Sequence, residues 1–217
     1  MTDIGESCPV ATSGPRLEGR FRPAAAPGSA PGTSSGVGAV VAPPHPLYGG
    51  TLSNPVVVAA AEGFAEAGVA TLAFNYRGIE HSGGRATDAP AAAVDDYSGA
   101  LDTLAGRVPG PYLAAGYSFG ARTALAVAAR DPRVRAAVLI APPVDLVDAG
   151  DLAAFTGPLL VIVGDRDAYA PLDRLRAWLA TRPDVVLEIV PGADHLFGST
   201  GTAGITALVA ARVPTWL

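Results

Sequence analysis

The residues best placed to do chemistry are Gly116-Tyr117-Ser118-Phe119-Gly120. An apolar run at 111–115 leads into them and an alanine-rich run at 121–130 leads out, which reads as strand, sharp turn and helix. So tight a turn strains the backbone of its middle residue and leaves no room for side chains on either flank, where Gly116 and Gly120 have none. Ser118 would project its hydroxyl above the sheet as a nucleophile. The N–H of Phe119, at the start of the following helix, has no intrahelical acceptor and is free to bind a developing oxyanion.

A serine hydroxyl is a poor nucleophile near neutral pH. It needs a base to take its proton and an acid to orient that base. The chain has three histidines, His45, His81 and His195. His195 sits in Pro191-Gly192-Ala193-Asp194-His195-Leu196-Phe197, after the last apolar strand and before the last helix, and is the expected base. The acid should follow a strand lying between Ser118 and His195. Gly164-Asp165-Arg166-Asp167 does so, and Asp167 is preferred because it lies far enough past the strand to turn back towards His195. Asp145, after Pro142-Pro143-Val144, is the second candidate. Asp165 reads as a partner of Arg166 or a turn cap, and Asp194 as a turn residue.

Three loops far apart in sequence must meet for this to work, so the scaffold has to gather them. Apolar runs at 37–42, 69–76, 111–117, 134–141, 158–164 and 185–190 are expected strands. Helices are expected at 55–67, 91–105, 120–130, 171–180 and 202–212, the first with Asn54 as N-cap, Pro55 at its first position and Gly68 closing it. Residues 17–21 alternate weakly and suggest an edge strand. Near-continuous apolar strands alternating with helices predict an α/β fold, a doubly wound, mostly parallel sheet with helices on both faces. Ligands bind such sheets at the carboxyl ends of the strands, where the candidate residues fall. Residues 1–16 are expected to be a flexible N-terminus and 17–217 a single domain. The Pro-, Ala-, Gly- and Ser-rich stretch at 23–36 is expected to be a mobile loop. Only about sixteen residues separate the strands at 134–141 and 158–164. That spacing implies a minimal cap or none, and an open site.

The order Ser118, Asp167, His195 resembles that of the α/β-hydrolase-fold serine hydrolases. With His45-Pro46-Leu47-Tyr48-Gly49-Gly50-Thr51, Asn75-Tyr76-Arg77-Gly78 and Gly192-Ala193-Asp194-His195, the chain more narrowly resembles small, lid-poor bacterial members that are dienelactone-hydrolase-like. The likeness runs from about Leu17 to the C-terminus. The family pattern repeats His-Pro before Leu-Tyr-Gly-Gly, whereas Pro43-Pro44 stands here at the first pair. The resemblance implies an esterase that forms an acyl-enzyme on Ser118 from small or exposed acyl substrates, without metal or organic cofactor. The second oxyanion donor would come from the loop around His45. Prolines carry no N–H, which leaves Leu47 or Tyr48, with Leu47 preferred. His45 either lines the site or braces its loop. Tyr48 and Tyr117 are candidate substrate contacts, with Phe119, Phe197, Pro142-Pro143 and Tyr169 as further possible walls. Arg77 and Arg166 would either attract a substrate carboxylate or pair at the surface, and His81 reads as solvated. Thioesterase, peptidase or perhydrolase chemistry would use the same three residues. A weakly active or inactive binding or regulatory protein on the same fold is the alternative of another class.

Composition narrows the field. A chain of 217 residues, 49% hydrophobic and 16% charged, can bury a sizeable core and is not a disordered sequence. Its net charge of −5 offers no electrostatic footprint for nucleic acid. Cys8 is the single cysteine, so no intrachain disulfide can form. No secretory signal and no membrane-length apolar run is read, so a cytoplasmic protein, monomer or homodimer, acting on a small molecule is expected. The Ala, Gly, Pro and Arg bias is that of a GC-rich bacterial genome.

Overall fold

A computed structural model describes residues 5–24 and 36–216. Eight strands form one sheet in the order β1-β2-β4-β3-β5-β6-β7-β8. They are β1 (Glu6–Ser7), β2 (Gly19–Arg22), β3 (Gly38–Ala42), β4 (Ala70–Phe74), β5 (Tyr112–Tyr117), β6 (Val134–Ile140), β7 (Leu159–Gly164) and β8 (Val186–Val190). β1, β2 and β4 pair antiparallel, and every pair from β4 to β8 is parallel. The helices are α1 (Pro55–Glu66), α2 (Pro90–Ala105), α3 (Phe119–Ala128), α4 (Ala149–Ala154), α5 (Leu172–Leu179) and α6 (Ala203–Arg212). The mostly parallel α/β architecture expected from the strand and helix pattern is the one observed.

Alternation along the strands divides the interior into two cores. Val40, Ala42 and Ala114 face the side covered by α2 and α3, together with Leu152 of α4 and Leu175 of α5. Val41, Leu113, Ala115 and Tyr117 face the side covered by α1 and α6. Successive residues of a strand point to opposite faces, so a central strand covered on both sides is mostly apolar, and β3, β4, β5 and β7 are buried at every position, Thr71 of β4 included. Asn54 caps α1 by accepting the Val56 N–H at 2.9 Å, with Pro55 at the first helical position.

Two expectations need correction. β2 is not an edge strand, because β1 pairs outside it, Glu6 opposite Phe21. The segment before β2 is not frayed over its described part: Cys8 and Val10 are buried, and Val10 and Leu17 exchange backbone hydrogen bonds. Two small apolar side chains suffice to dock so short a run once its backbone pairs with the sheet. Residues 1–4, and most of the 23–36 stretch expected to be mobile, lie outside the described residues. Between β6 and β7 the chain forms only the six-residue α4, whose Leu152 packs into the core, so no cap rises over the sheet there.

Candidate active site

The carboxyl ends of β5, β7 and β8 meet at one point. β5 ends at Tyr117, and Ser118 follows with φ 53° and ψ −116° before α3 begins at Phe119. That left-handed conformation is strained for a residue with a side chain and is held by its surroundings. The Ser118 N–H donates to the Ile140 carbonyl of β6 at 2.9 Å. A Cβ on Gly116 would lie 2.2 Å from the Gly120 carbonyl oxygen, and one on Gly120 would lie 2.4 Å from that of Ala42. Both glycines are therefore required by close backbone approach.

His195 Nε2 lies 2.9 Å from Ser118 Oγ, and His195 Nδ1 lies 2.8 and 3.0 Å from the Asp167 carboxylate oxygens. With its proton on Nδ1, directed at Asp167, the imidazole would present the Nε2 lone pair to the serine hydroxyl. The Asp167 carboxylate is buried and also accepts the Tyr169 and Ala170 N–H groups at 2.8 and 3.0 Å. Asp145 is elsewhere: it is exposed and paired with Arg174, whose guanidinium holds its carboxyl below the usual range. Of the two acid candidates, only Asp167 reaches the histidine.

Two side chains fix the histidine loop from either side. The Tyr117 hydroxyl donates to the His195 carbonyl at 2.8 Å. Burial, then the charges of Asp167 and Asp194, push this hydroxyl well above the usual tyrosine range, so it stays a donor. Asp165 accepts the Gly192 N–H at 2.7 Å, joining the loop after β7 to the loop after β8. This is not the pairing with Arg166 or the local cap expected from sequence. The approach is close enough that a Cβ on Gly164 would meet the Ala193 carbonyl at 2.2 Å. Gly-Asp-x-Asp is thus the local signal for the cross-loop clamp, which sequence neighbours alone did not suggest. Asp194 takes its expected turn role, accepting the Leu196 and Gly198 N–H groups.

The loop after β3 departs from expectation at Leu47. Pro46–Tyr48 form one turn of 3-10 helix, and the His45 side chain caps it by accepting the Leu47 N–H on Nδ1 at 3.2 Å. Tyr48 and Gly50 N–H groups donate to the His45 carbonyl. The Leu47 N–H expected to hold an oxyanion is therefore already engaged, and its side chain lies outside the cavity lining. The other candidate, the Tyr48 N–H, is engaged too. The His45 N–H has no hydrogen-bond partner among the described residues, and the His45 ring lies 5.0 Å from that of Phe119. His45 both lines the site and braces its loop.

A cavity of about 530 Å³ opens over Ser118 and His195. Tyr48, Tyr117 and Phe119 line it, with Pro143 and Tyr169. Phe197 is not a wall but core, packed against Tyr117. Arg77 is consumed by Asp95 and Asp96, and Arg166 is not part of the lining. His81 is exposed beside Glu18 and Arg20 at a separate cavity. Among the described residues, no group of three or more His, Cys, Asp or Glu side chains is arranged to hold a metal ion.

Against known proteins, the family model described as "Alpha/beta hydrolase domain" matches residues 48–212. The chain belongs to the α/β-hydrolase family. An uncharacterised protein of Rickettsia prowazekii is 32% identical over 193 residues, covering 84% of this chain and 78% of that protein. A solved structure from Xanthomonas campestris, described as an α/β serine hydrolase without a lid, superimposes with a TM-score of 0.85 at 25% identity, covering 100% of this chain and 97% of that one. A Mycobacterium tuberculosis protein named a putative phosphoribosyl transferase is 39% identical over 149 residues, covering 65% of this chain but only 33% of that protein. The chain thus matches about a third of that longer protein. No described helix is long and apolar enough to cross a membrane.

Proposed function

We propose that this hydrolase-family chain is a serine hydrolase of carboxylic esters, working through an acyl-enzyme on Ser118 with His195 as base and Asp167 as its orienting acid. The observation that carries the proposal is the 2.9 Å approach of His195 Nε2 to the hydroxyl of a serine held at φ 53°. His195 Nε2 takes the Ser118 proton as Oγ attacks the ester carbonyl carbon, and the carbonyl π pair moves onto its oxygen. The Phe119 and His45 N–H groups hold that oxyanion, the second in place of the engaged Leu47 donor. Collapse of the tetrahedral species breaks the bond to the leaving alcohol, which receives the proton from His195. Water then enters, gives its proton to His195, and attacks the acyl carbon. The carboxylic acid leaves and the proton returns to Ser118. Asp167 holds the imidazole in the required tautomer and orientation.

The likeness to a serine hydrolase without a lid supports an open site for small or exposed acyl groups. In the mycobacterial protein, two thirds of the length lies outside the match, so its transferase name is not carried to this chain. Ser118→Ala should lower ester hydrolysis by at least about 10⁴-fold with the circular dichroism spectrum unchanged. Retention of most activity by that variant would remove Ser118 from the chemistry.

A further inference from the structure

Among the described residues, five large hydrophobic side chains are exposed: Leu47, Tyr48, Leu146, Tyr169 and Leu196. All five lie on loops following β3, β6, β7 or β8, at the carboxyl end of the sheet. Four of them, all but Leu47, line the cavity that contains Ser118 and His195. Tyr48 is 86%, Leu196 71% and Tyr169 64% exposed, values that leave large apolar surface in water at the mouth of one site. Scattered exposed apolar residues need no explanation, but convergence of four on one reacting hydroxyl does.

The charges point the same way. Among the described residues, no Lys, Arg, Asp or Glu side chain lines the cavity. The two arginines that the sequence offered for a substrate carboxylate are elsewhere, Arg77 locked to Asp95 and Asp96 and Arg166 outside the lining. Asp88, 3.8 Å from His45 Nε2, and Arg122, over the Phe119 ring, reach lining residues without lining the cavity themselves. The nearest fixed charge to the reacting atoms is the buried Asp167 carboxylate, which would repel an anion. A charged substrate group entering this cavity would lose water and find no partner. Nor are the tyrosine rings arranged as a cage for a cation: Tyr48 packs on His45 at 4.4 Å and Tyr169 on His195 at 4.6 Å.

Resting on the proposed serine-ester chemistry, we infer that the substrate is an uncharged ester with an apolar or aromatic body, laid across Tyr48, Leu146, Tyr169 and Leu196 with its carbonyl over Ser118. Substrates bearing a carboxylate are disfavoured. The chemistry is ordinary ester hydrolysis, and water is the only co-reactant.

The test compares p-nitrophenyl esters of matched length on the intact protein: a neutral butyrate, a succinate carrying a free carboxylate, and a 4-trimethylammoniobutyrate. The neutral ester should exceed each charged one in kcat/KM by at least about tenfold. Leu196→Ser and Tyr48→Ser should each lower the preference for hexanoate over acetate by several-fold, mainly through KM. Equal or better turnover of either charged ester, or an unaltered chain-length preference in both variants, would overturn the inference. Fluorophosphonate labelling of Ser118 separates the two levels. Labelling with no discrimination among esters leaves the serine-hydrolase proposal standing and removes this one. Absence of both labelling and hydrolysis removes both.

Discussion

Ser118 can occupy its left-handed conformation only because Gly116 and Gly120 let two backbones touch behind it. A Cβ at either position would approach a carbonyl oxygen to within 2.4 Å, and carbonyls in a sheet and a helix cannot move aside cheaply. Gly116→Ala or Gly120→Ala should therefore destabilise the fold by about 1–3 kcal/mol in urea titration and lower activity as well. The acid assignment is tested at the same scale. Asp167→Asn should cost on the order of 10³–10⁴ in kcat, because the amide favours the wrong imidazole tautomer. Asp145→Asn should leave kcat within a few-fold, since that carboxylate meets only Arg174. His45 adds a pH dependence. Burial, outweighing the attraction of Asp88, lowers its pKa from 6.5, with Arg122 adding in the same direction. Its neutral Nδ1 is the acceptor for the Leu47 N–H. Because the folded imidazole takes up a proton less readily than the unfolded one, its contribution to stability is complete above about pH 6.5. It declines as the pH falls below that value and levels off once the folded imidazole itself protonates. Urea titrations between pH 5 and 8 should show this slope in the native protein and a flatter one in His45→Gln. At this scale the meeting of Ser118, His195 and Asp167 was legible, because each follows an apolar run at the carboxyl end of a strand. The engaged Leu47 N–H was not, since a side chain capping its own loop depends on a 3-10 turn that Pro46 starts and no periodicity announces.

The elements around the site are joined by two buried polar side chains. Tyr97 of α2 inserts its hydroxyl at the junction of β3 and β5, accepting the Ala115 N–H at 2.9 Å and meeting the Val40 carbonyl at 2.9 Å. This places a helix side chain within the ladder that carries Ser118. Tyr97→Phe would leave a buried N–H unpaired and should cost about 1–3 kcal/mol, read as a lower urea midpoint. Asn75, fully buried after β4, accepts the Leu52 N–H at 2.7 Å and donates to Glu18 and Glu80. It thereby ties the His45 loop to the segment before β2. Most helices and strands were readable from apolar runs, caps and glycine stops, to within a residue or two at the ends. β1 and α4 were not. A two-residue strand has no period to detect, and α4 spans six residues with Leu152 as its single buried anchor. β2 seemed an edge for the same reason, since its outer neighbour was invisible in the sequence.

At the scale of the whole molecule, a single sheet carries three loops to one end, and short connections keep that end open. The eighteen residues between β6 and β7 are spent on a turn and on α4, which packs its leucine downward rather than covering the site. The consequence is an apolar-rimmed cavity that has Ser118 and His195 in its lining, as the proposed hydrolysis of small uncharged esters requires. Fold class was legible because strand–helix alternation constrains topology strongly. The character of the rim was not, because exposure of Tyr48, Tyr169 and Leu196 depends on how three separate loops pack. The central claim is that Ser118 is an activated nucleophile, and the most direct measurement is reaction of the folded protein with a fluorophosphonate, followed by intact mass and peptide mapping. One adduct per chain on Ser118, lost when His195 is changed to alanine, is the predicted result. A folded protein that takes no adduct, or takes it on another residue, would contradict the account.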